Sequence, residues 1–341
     1  MLTTVFSLIE SCGVTFDWRG ATVGSVEALA KAADQLGFGY IWLPEAWGLE
    51  TFSLAAHLLE ATRRIKLGSG VLNVYSRSAA LIGMGCATLN QICPNRFALG
   101  LGSSGKALIE NWHNETFVRP LQRTKEYIEV IRKVVSGERV DYNGKTLNLK
   151  GFRLFTTPME ARLEIFVGAL GDKNLGLAAE VADGAIVTLY PMSQLRHASD
   201  VLKSRSINAE PKTLFAFYPL ALVDSVTQEN LVKAQFKKYV SFYIASMGEY
   251  YAKNLAYLGY SEQVEKIKRL YQNGNRKEAV DAVDDELLRE LTLVGSPSWV
   301  AEQTLSRLRI ATPVFAVNIG DKHETESSIN TLKRLAQLLN E

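Results

Sequence analysis

The chain has 341 residues, 47% of them apolar and 22% charged, with a net charge of +2. That length suits one large domain or two ordinary ones, and the near-neutral balance gives no reason to expect nucleic acid as a partner. Three scattered cysteines and four histidines without HExxH-type spacing exclude a disulfide framework and a zinc cage, so no metal is expected.

No apolar run is long enough to span a bilayer. The first residues carry Glu10 and no basic region, unlike a secretory leader. A reduced, cytoplasmic protein is expected.

Strands and helices alternate along the chain. Residues 13–16 read as a first strand, and residues 23–36 have helical periodicity ending at Gly37. A second strand (40–43) and helix (51–62) follow, then a third strand (65–72) and helix (79–92). The fourth strand spans 96–101, with an amphipathic helix at 121–135. Residues 139–149 place Val140, Tyr142, Leu147 and Leu149 around Asn143-Gly144, a hairpin signal because both turn residues tolerate positive φ. The fifth strand (164–168) and helix (174–181) precede the sixth strand (185–189) and helix (192–203). A long apolar seventh strand covers 213–223, and an eighth (313–319) leads into the terminal helix 324–339.

Between strands seven and eight, residues 228–291 are mostly helical and rich in tyrosine. They suit either a cover over one end of the sheet or a helical pair packed on a partner subunit. Eight strand–helix units in a chain of this size predict an α/β fold, a (β/α)8 TIM barrel with insertions, as a single domain over 1–341. A doubly wound open sheet is the alternative. The barrel is favoured by the count and by the Gly, Ser, Thr or acidic residues after nearly every strand, which a barrel gathers at one mouth.

Strands three and four both run out into small residues, leaving bare backbone where a ligand can approach closely. Gly100-Leu101-Gly102-Ser103-Ser104-Gly105 fits GxGxxG. It follows the fourth strand rather than the first, and no acidic residue ends a strand about 20 positions later, which argues against a dinucleotide-binding Rossmann unit. A tight strand-to-loop turn and a pocket for a flat ligand remain. Gly168-Ala169-Leu170-Gly171 is a second glycine pair. It reads as a phosphate-binding helix start or as a turn capped by Asp172. Glu45 closes strand two, where an acid reads either as functional or as a partner of nearby backbone. His113 and Arg77 are single-residue signals of the same kind. No nucleophile elbow or Ser/His/Asp order appears.

Four segments in order, LGSGVLNVYSRSAALIGMGCATLNQICPNRFALGLGSSG, IENWHNETFVRPLQRTKEYIEVIRKVVSGERVDYNGKTLNL, FVGALGDKNLGLAAEVADGAI and ELTLVGSP, resemble the bacterial-luciferase-like flavin and deazaflavin oxidoreductases. That class includes the coenzyme F420-dependent methylenetetrahydromethanopterin reductases. The resemblance covers most of the chain and is thinnest over 228–285. It implies a barrel with the cofactor ring across its mouth, backed by a non-proline cis peptide at Gly70-Val71. It implies further that Ser103, Ser104 and Gly105 line the ring, and that Gly168, Leu170, Gly171 and Thr188 lie at the phosphate end.

The implied activity is hydride transfer between F420 and a small organic substrate, the cofactor supplying the reactivity and the protein the placement. Glu45 and His113 are the candidate catalytic residues, and a homodimer is expected. An FMN-dependent monooxygenase and a non-catalytic cofactor-binding relative are the alternatives. Many deazaflavin reductases of this class carry Asp-His after strand two. Here the pair is Glu45-Ala46, so the histidine that relays a proton in sugar-phosphate oxidation is missing.

Overall fold

The computed structural model describes residues 8–206 and 211–340. Residues 1–7, which begin the stretch compared above with a leader, lie outside the described residues. Eight parallel strands close on themselves: Gly13–Phe16, Tyr40–Leu43, Lys66–Ser69, Phe97–Gly102, Ile165–Gly168, Gly184–Thr188, Thr213–Leu222 and Thr312–Val317. Each pairs with the next, and the eighth pairs with the first through Gly13 opposite Val314, so the sheet has no free edge in the ring. This is the expected TIM barrel.

Helices begin and end where local chemistry dictates. The helix Val23–Leu36 is opened by a reciprocal Thr22–Ser25 capping box and closed by Gly37 at φ 88°. The hairpin forms between Val140–Asn143 and Asn148–Phe152. Its turn is held by the buried carboxylate of Glu126, which accepts from the Lys145 and Thr146 N–H groups at 2.7 and 2.8 Å.

The interior of the barrel is filled by large side chains facing small ones. Trp42, Phe166 and Phe215 form an aromatic plug, with ring centroids 4.8–5.7 Å apart. Trp42 fits because Gly68, on the neighbouring strand, has no side chain; a Cβ there would stand 2.4 Å from the indole. Ser69 and Gly100 lock strands three and four together. The Ser69 hydroxyl donates to the Gly100 carbonyl at 2.9 Å, and the Gly100 N–H donates back at 2.8 Å.

The structure has the cis Gly70-Val71 peptide that the family resemblance implied, and it departs from the strand pattern read from sequence at two places. The run 65–72 is not one strand: Lys66–Ser69 ends at a cis Gly70-Val71 peptide, and Leu72–Asn73 then pairs separately with Leu101 and Gly102. Apolar content alone does not reveal that break. Residues 293–308, outside the eight strand–helix units of the sequence pattern, form a short strand, Leu293–Gly295, beside the seventh strand and a helix, Pro297–Leu308.

Residues 226–291 form helices with a core of their own, built on Val240, Ile244, Leu255, Ile267 and Leu287. Among the described residues, no helix is long and apolar enough to cross a membrane.

Candidate active site

A cavity of about 760 Å³ opens at the C-terminal ends of the barrel strands, a size that suits a small organic ligand. Its floor is the top of the aromatic plug: Val71 and Phe217 pack on Trp42, with Ile186 beside them. Val71 stands between two glycines. A Cβ on Gly102 would approach its Cγ2 to 2.9 Å, and one on Gly168 to 3.4 Å. The absence of side chains at both positions is what lets the bulged Gly70-Val71 segment present a smooth face to the cavity.

One wall is polar loop. Ser103, Ser104 and Gly105 follow strand four, with Ser104 held at φ 58°. The far end narrows between Leu170, Gly171 and the start of the helix Asp172–Val181. Gly171 is the cap residue of that helix, and no side chain caps it. Such an end carries free N–H groups and a positive partial charge, a setting for an anion. Asn254 faces it from the helix Glu249–Leu255. Its side chain is buried, its Nδ2 lacks a protein partner, and its Oδ1 lies 3.9 Å from where a Gly171 Cβ would sit. The neighbouring Asp172 carboxylate is drawn aside by His197, whose Nε2 lies 2.8 Å away, and by the Tyr257 hydroxyl, which donates to it at 3.2 Å.

The roof comes from residues 236–257. Tyr239, Tyr243 and Tyr251 pack ring to ring at 4.5 and 5.1 Å. Burial pushes all three phenols above their ordinary range, so they stay protonated and serve as neutral hydrogen-bonding groups. Arg19, tied to Asp17, lies over the Tyr239 ring at 5.8 Å and joins the first barrel loop to this roof.

Glu45 lines the cavity, but its carboxylate is occupied. Arg77 donates to both oxygens at 2.6 and 3.0 Å, and the Thr51 N–H donates to Oε2 at 2.8 Å. Arg77 also donates to Glu50 at 2.6 Å. Burial works against the Arg77 charge, but these carboxylates outweigh it and hold the guanidinium above its usual value.

His113 does not line the cavity. Its Nε2 lies 3.3 Å from the amide of Asn73, and Asn73 is the residue that reaches the wall. Burial holds the imidazole below its ordinary range, so it is neutral at pH 7.

A profile of luciferase-like monooxygenases matches residues 10–311. The chain belongs to this family. It is an oxidoreductase of the luciferase-like class, whose relatives include a Mycobacterium tuberculosis protein assigned as a coenzyme F420-dependent oxidoreductase, 29% identical over 81% of this chain and 85% of its own length. The 5,10-methylenetetrahydromethanopterin reductase of Archaeoglobus fulgidus is 28% identical over 86% of this chain and 90% of that protein. Among solved structures, the coenzyme F420-dependent tetrahydromethanopterin reductase of Methanopyrus kandleri superposes with a TM-score of 0.77 at 20% identity, covering 94% of this chain and 96% of that one.

Within this luciferase-like barrel, the residues singled out from sequence converge. Glu45, Gly70 and Val71 meet Ser103, Ser104 and Gly105 across the mouth, and Gly168, Leu170, Gly171 and Thr188 complete the wall. His113 stands one residue behind. GxGxxG is divided among three jobs: Gly100 seats the Ser69 lock, Gly102 faces Val71, and Gly105 starts the short helix Lys106–Asn111. The sequence reading missed Asn254 and Asn73. Neither sits in a motif, and only an asparagine within an otherwise apolar helical face marked Asn254.

Proposed function

We propose that this protein moves hydride between the deazaflavin coenzyme F420 and a small organic substrate, in the manner of a methylenetetrahydromethanopterin reductase. The observation that carries the reading is the shape and chemistry of one continuous cavity. A smooth floor of Val71 between Gly102 and Gly168 leads to an uncapped helix start at Gly171, opposite the unpartnered Nδ2 of Asn254. A flat ring with a phosphorylated side chain matches that sequence of surfaces.

In this reading Gly70 and Val71 back the ring, and Ser103, Ser104 and Gly105 border it. Gly168, Leu170, Gly171 and Thr188, together with Asn254, hold the phosphorylated end. When bound, the deazaflavin supplies a carbon that donates or accepts hydride. The protein's part is placement and exclusion of water by the tyrosine roof. Glu45, fixed by Arg77, shapes the substrate side, and His113 acts by orienting Asn73. No histidine lines the cavity among the described residues, which suits a substrate that needs no proton relay, such as one already cationic at the reacting carbon.

Residues 228–291 are read as an insertion within a single domain, and the protein as a cytoplasmic homodimer. Sedimentation velocity checks the assembly. The function is tested by titrating purified protein with F420 and with FMN and following fluorescence quenching. Micromolar binding of F420, with hydride transfer from the reduced cofactor to an iminium acceptor, is the expected result. Micromolar FMN binding without F420 binding would assign an oxygen-using flavin enzyme instead, and binding of neither would assign a non-catalytic relative.

A further inference from the structure

The helix Val226–Ser246 has two working faces. Phe236, Tyr239 and Tyr243 look into the barrel cavity. Ser241, two residues past Tyr239 and so turned by about 200° around the axis, looks into a second cavity of about 650 Å³ on the other side. That groove lies between this helix and the segment 271–285, away from the barrel mouth.

Its lining is strongly cationic: Lys233, Lys237, Lys238, Arg276 and Lys277, against two carboxylates, Asp281 and Asp285. Asp285 is already used by Lys233 at 3.1 Å and Lys237 at 2.8 Å, and Lys233 also pairs with Glu229 at 2.9 Å, which leaves the five cations an excess of two over the three carboxylates. Lys238 and Lys277 have no ion pair among the described residues. A second observation is independent of charge. Ser241 is 1% exposed, its hydroxyl has no hydrogen-bond partner, and it lines the groove. A buried donor left unmatched in a groove that unpaired ammonium groups also line is the complement of an oxyanion. The remaining wall is aromatic. Phe242 and Tyr271 line it, and the Arg276 guanidinium lies 4.3 Å from the centroid of the Tyr271 ring and donates to its hydroxyl.

We propose that this groove is a binding site for a phosphate monoester carrying a flat ring, a ligand of nucleoside-monophosphate type. The excess of cations over carboxylates matches a dianion, the Ser241 hydroxyl supplies a neutral donor at depth, and Arg276 with the aromatic wall gives the ring a face to lie on. The volume lies within the roughly 300–1,000 Å³ typical of small-molecule sites. The proposal rests on no assumption about the ligand of the barrel cavity.

The test is isothermal titration calorimetry of the full-length protein at low salt with AMP, adenosine and inorganic phosphate as probes. AMP is expected to bind at least about tenfold more tightly than either fragment. The exposed double substitution Lys238→Ala/Lys277→Ala is expected to weaken AMP by about tenfold or more, and Ser241→Ala by about threefold. Unfolding midpoints of the ligand-free variants serve as the folding control. Absence of AMP binding at millimolar concentration overturns the site. An AMP affinity identical in wild type and the folded double variant places any binding elsewhere and overturns it too. Phosphate binding as tight as AMP refutes the ring-bearing ligand class.

Discussion

Removing the Arg77 guanidinium is the sharpest test of how the substrate side of the cavity is held. Arg77→Met keeps the volume of the stem but deletes three hydrogen bonds to carboxylates, two to Glu45 and one to Glu50, and one to the Ser76 hydroxyl. The Glu45 side chain is 10% exposed and that of Arg77 15%, so solvent compensates little. Glu45 keeps only the Thr51 N–H. Breaking one side of a buried pair costs about 3–5 kcal/mol. Glu50 is 44% exposed and adds little, so about 3 kcal/mol is expected for the single variant. Glu45→Gln should cost about 2 kcal/mol, since Arg77 retains Glu50.

The double variant carries no unpaired buried charge, and its cost should fall below the sum by about 1.5 kcal/mol or more. Urea unfolding at pH 7 of the four proteins measures the cycle. Costs that simply add, or an Arg77→Met cost below about 1 kcal/mol, would refute the argument that this pair is a buried clamp. Unchanged stability with abolished hydride transfer would instead put the Glu45 carboxylate in the chemistry itself.

Gly102→Ala should weaken ring binding by about tenfold, because the new Cβ meets Val71 at 2.9 Å, whereas Gly168→Ala, at 3.4 Å, should be accommodated with little loss; fluorescence titration of both variants separates shape from bulk. Asn254→Leu should leave the fold stable, since the amide nitrogen has no partner to lose, yet reduce cofactor affinity by about tenfold; equal affinity would remove Asn254 from the anion end. Burial alone would raise the Glu126 carboxyl, but bonds from Thr146, Gln122 and Lys145 outweigh it and bring it down to about 2. Its folded value is thus depressed, so the stability it contributes is present above pH 4.5 and lost as pH falls toward about 2. That loss is on the order of 2–3 kcal/mol once the carboxyl is fully protonated. Urea unfolding of wild type and Glu126→Gln at pH 7 and pH 3 should show the difference shrinking in acid.

Much of the barrel was legible because each strand–helix unit is a local event. The helices Val23–Leu36 and Ala79–Ile92 run as their periodicity predicts, and the hairpin signalled by Asn143-Gly144 forms, although Asn143 ends its first strand and neither residue takes a positive φ. The break in strand three is different. Only Leu67, Val71 and Leu72 of the segment Lys66–Asn73 are apolar, and its composition does not place a turn at Gly70; the cis peptide there came from the family resemblance, and the structure has it. The site residues drawn from family resemblance reached one cavity, while His113 fell behind Asn73, because a residue's distance from a loop tip says nothing of which way its ring points.

Sequence by itself determined the order of the strand–helix units, through hydrophobic period and capping, and the family, through the resemblance of four segments; closure of the sheet, favoured by the count of units, is shown by the pairing of the eighth strand with the first. Only the tertiary structure decided which groups meet. Glu45 and Arg77 are 32 positions apart in the chain, and Asn254 reaches Gly171 from an insertion that carries no motif. The pairing of a buried charge, the burial of an unmatched amide and the two opposed faces of the helix Val226–Ser246 all depend on through-space neighbours. Burial and Coulomb interactions act across space, and the linear pattern records only what is adjacent along the chain.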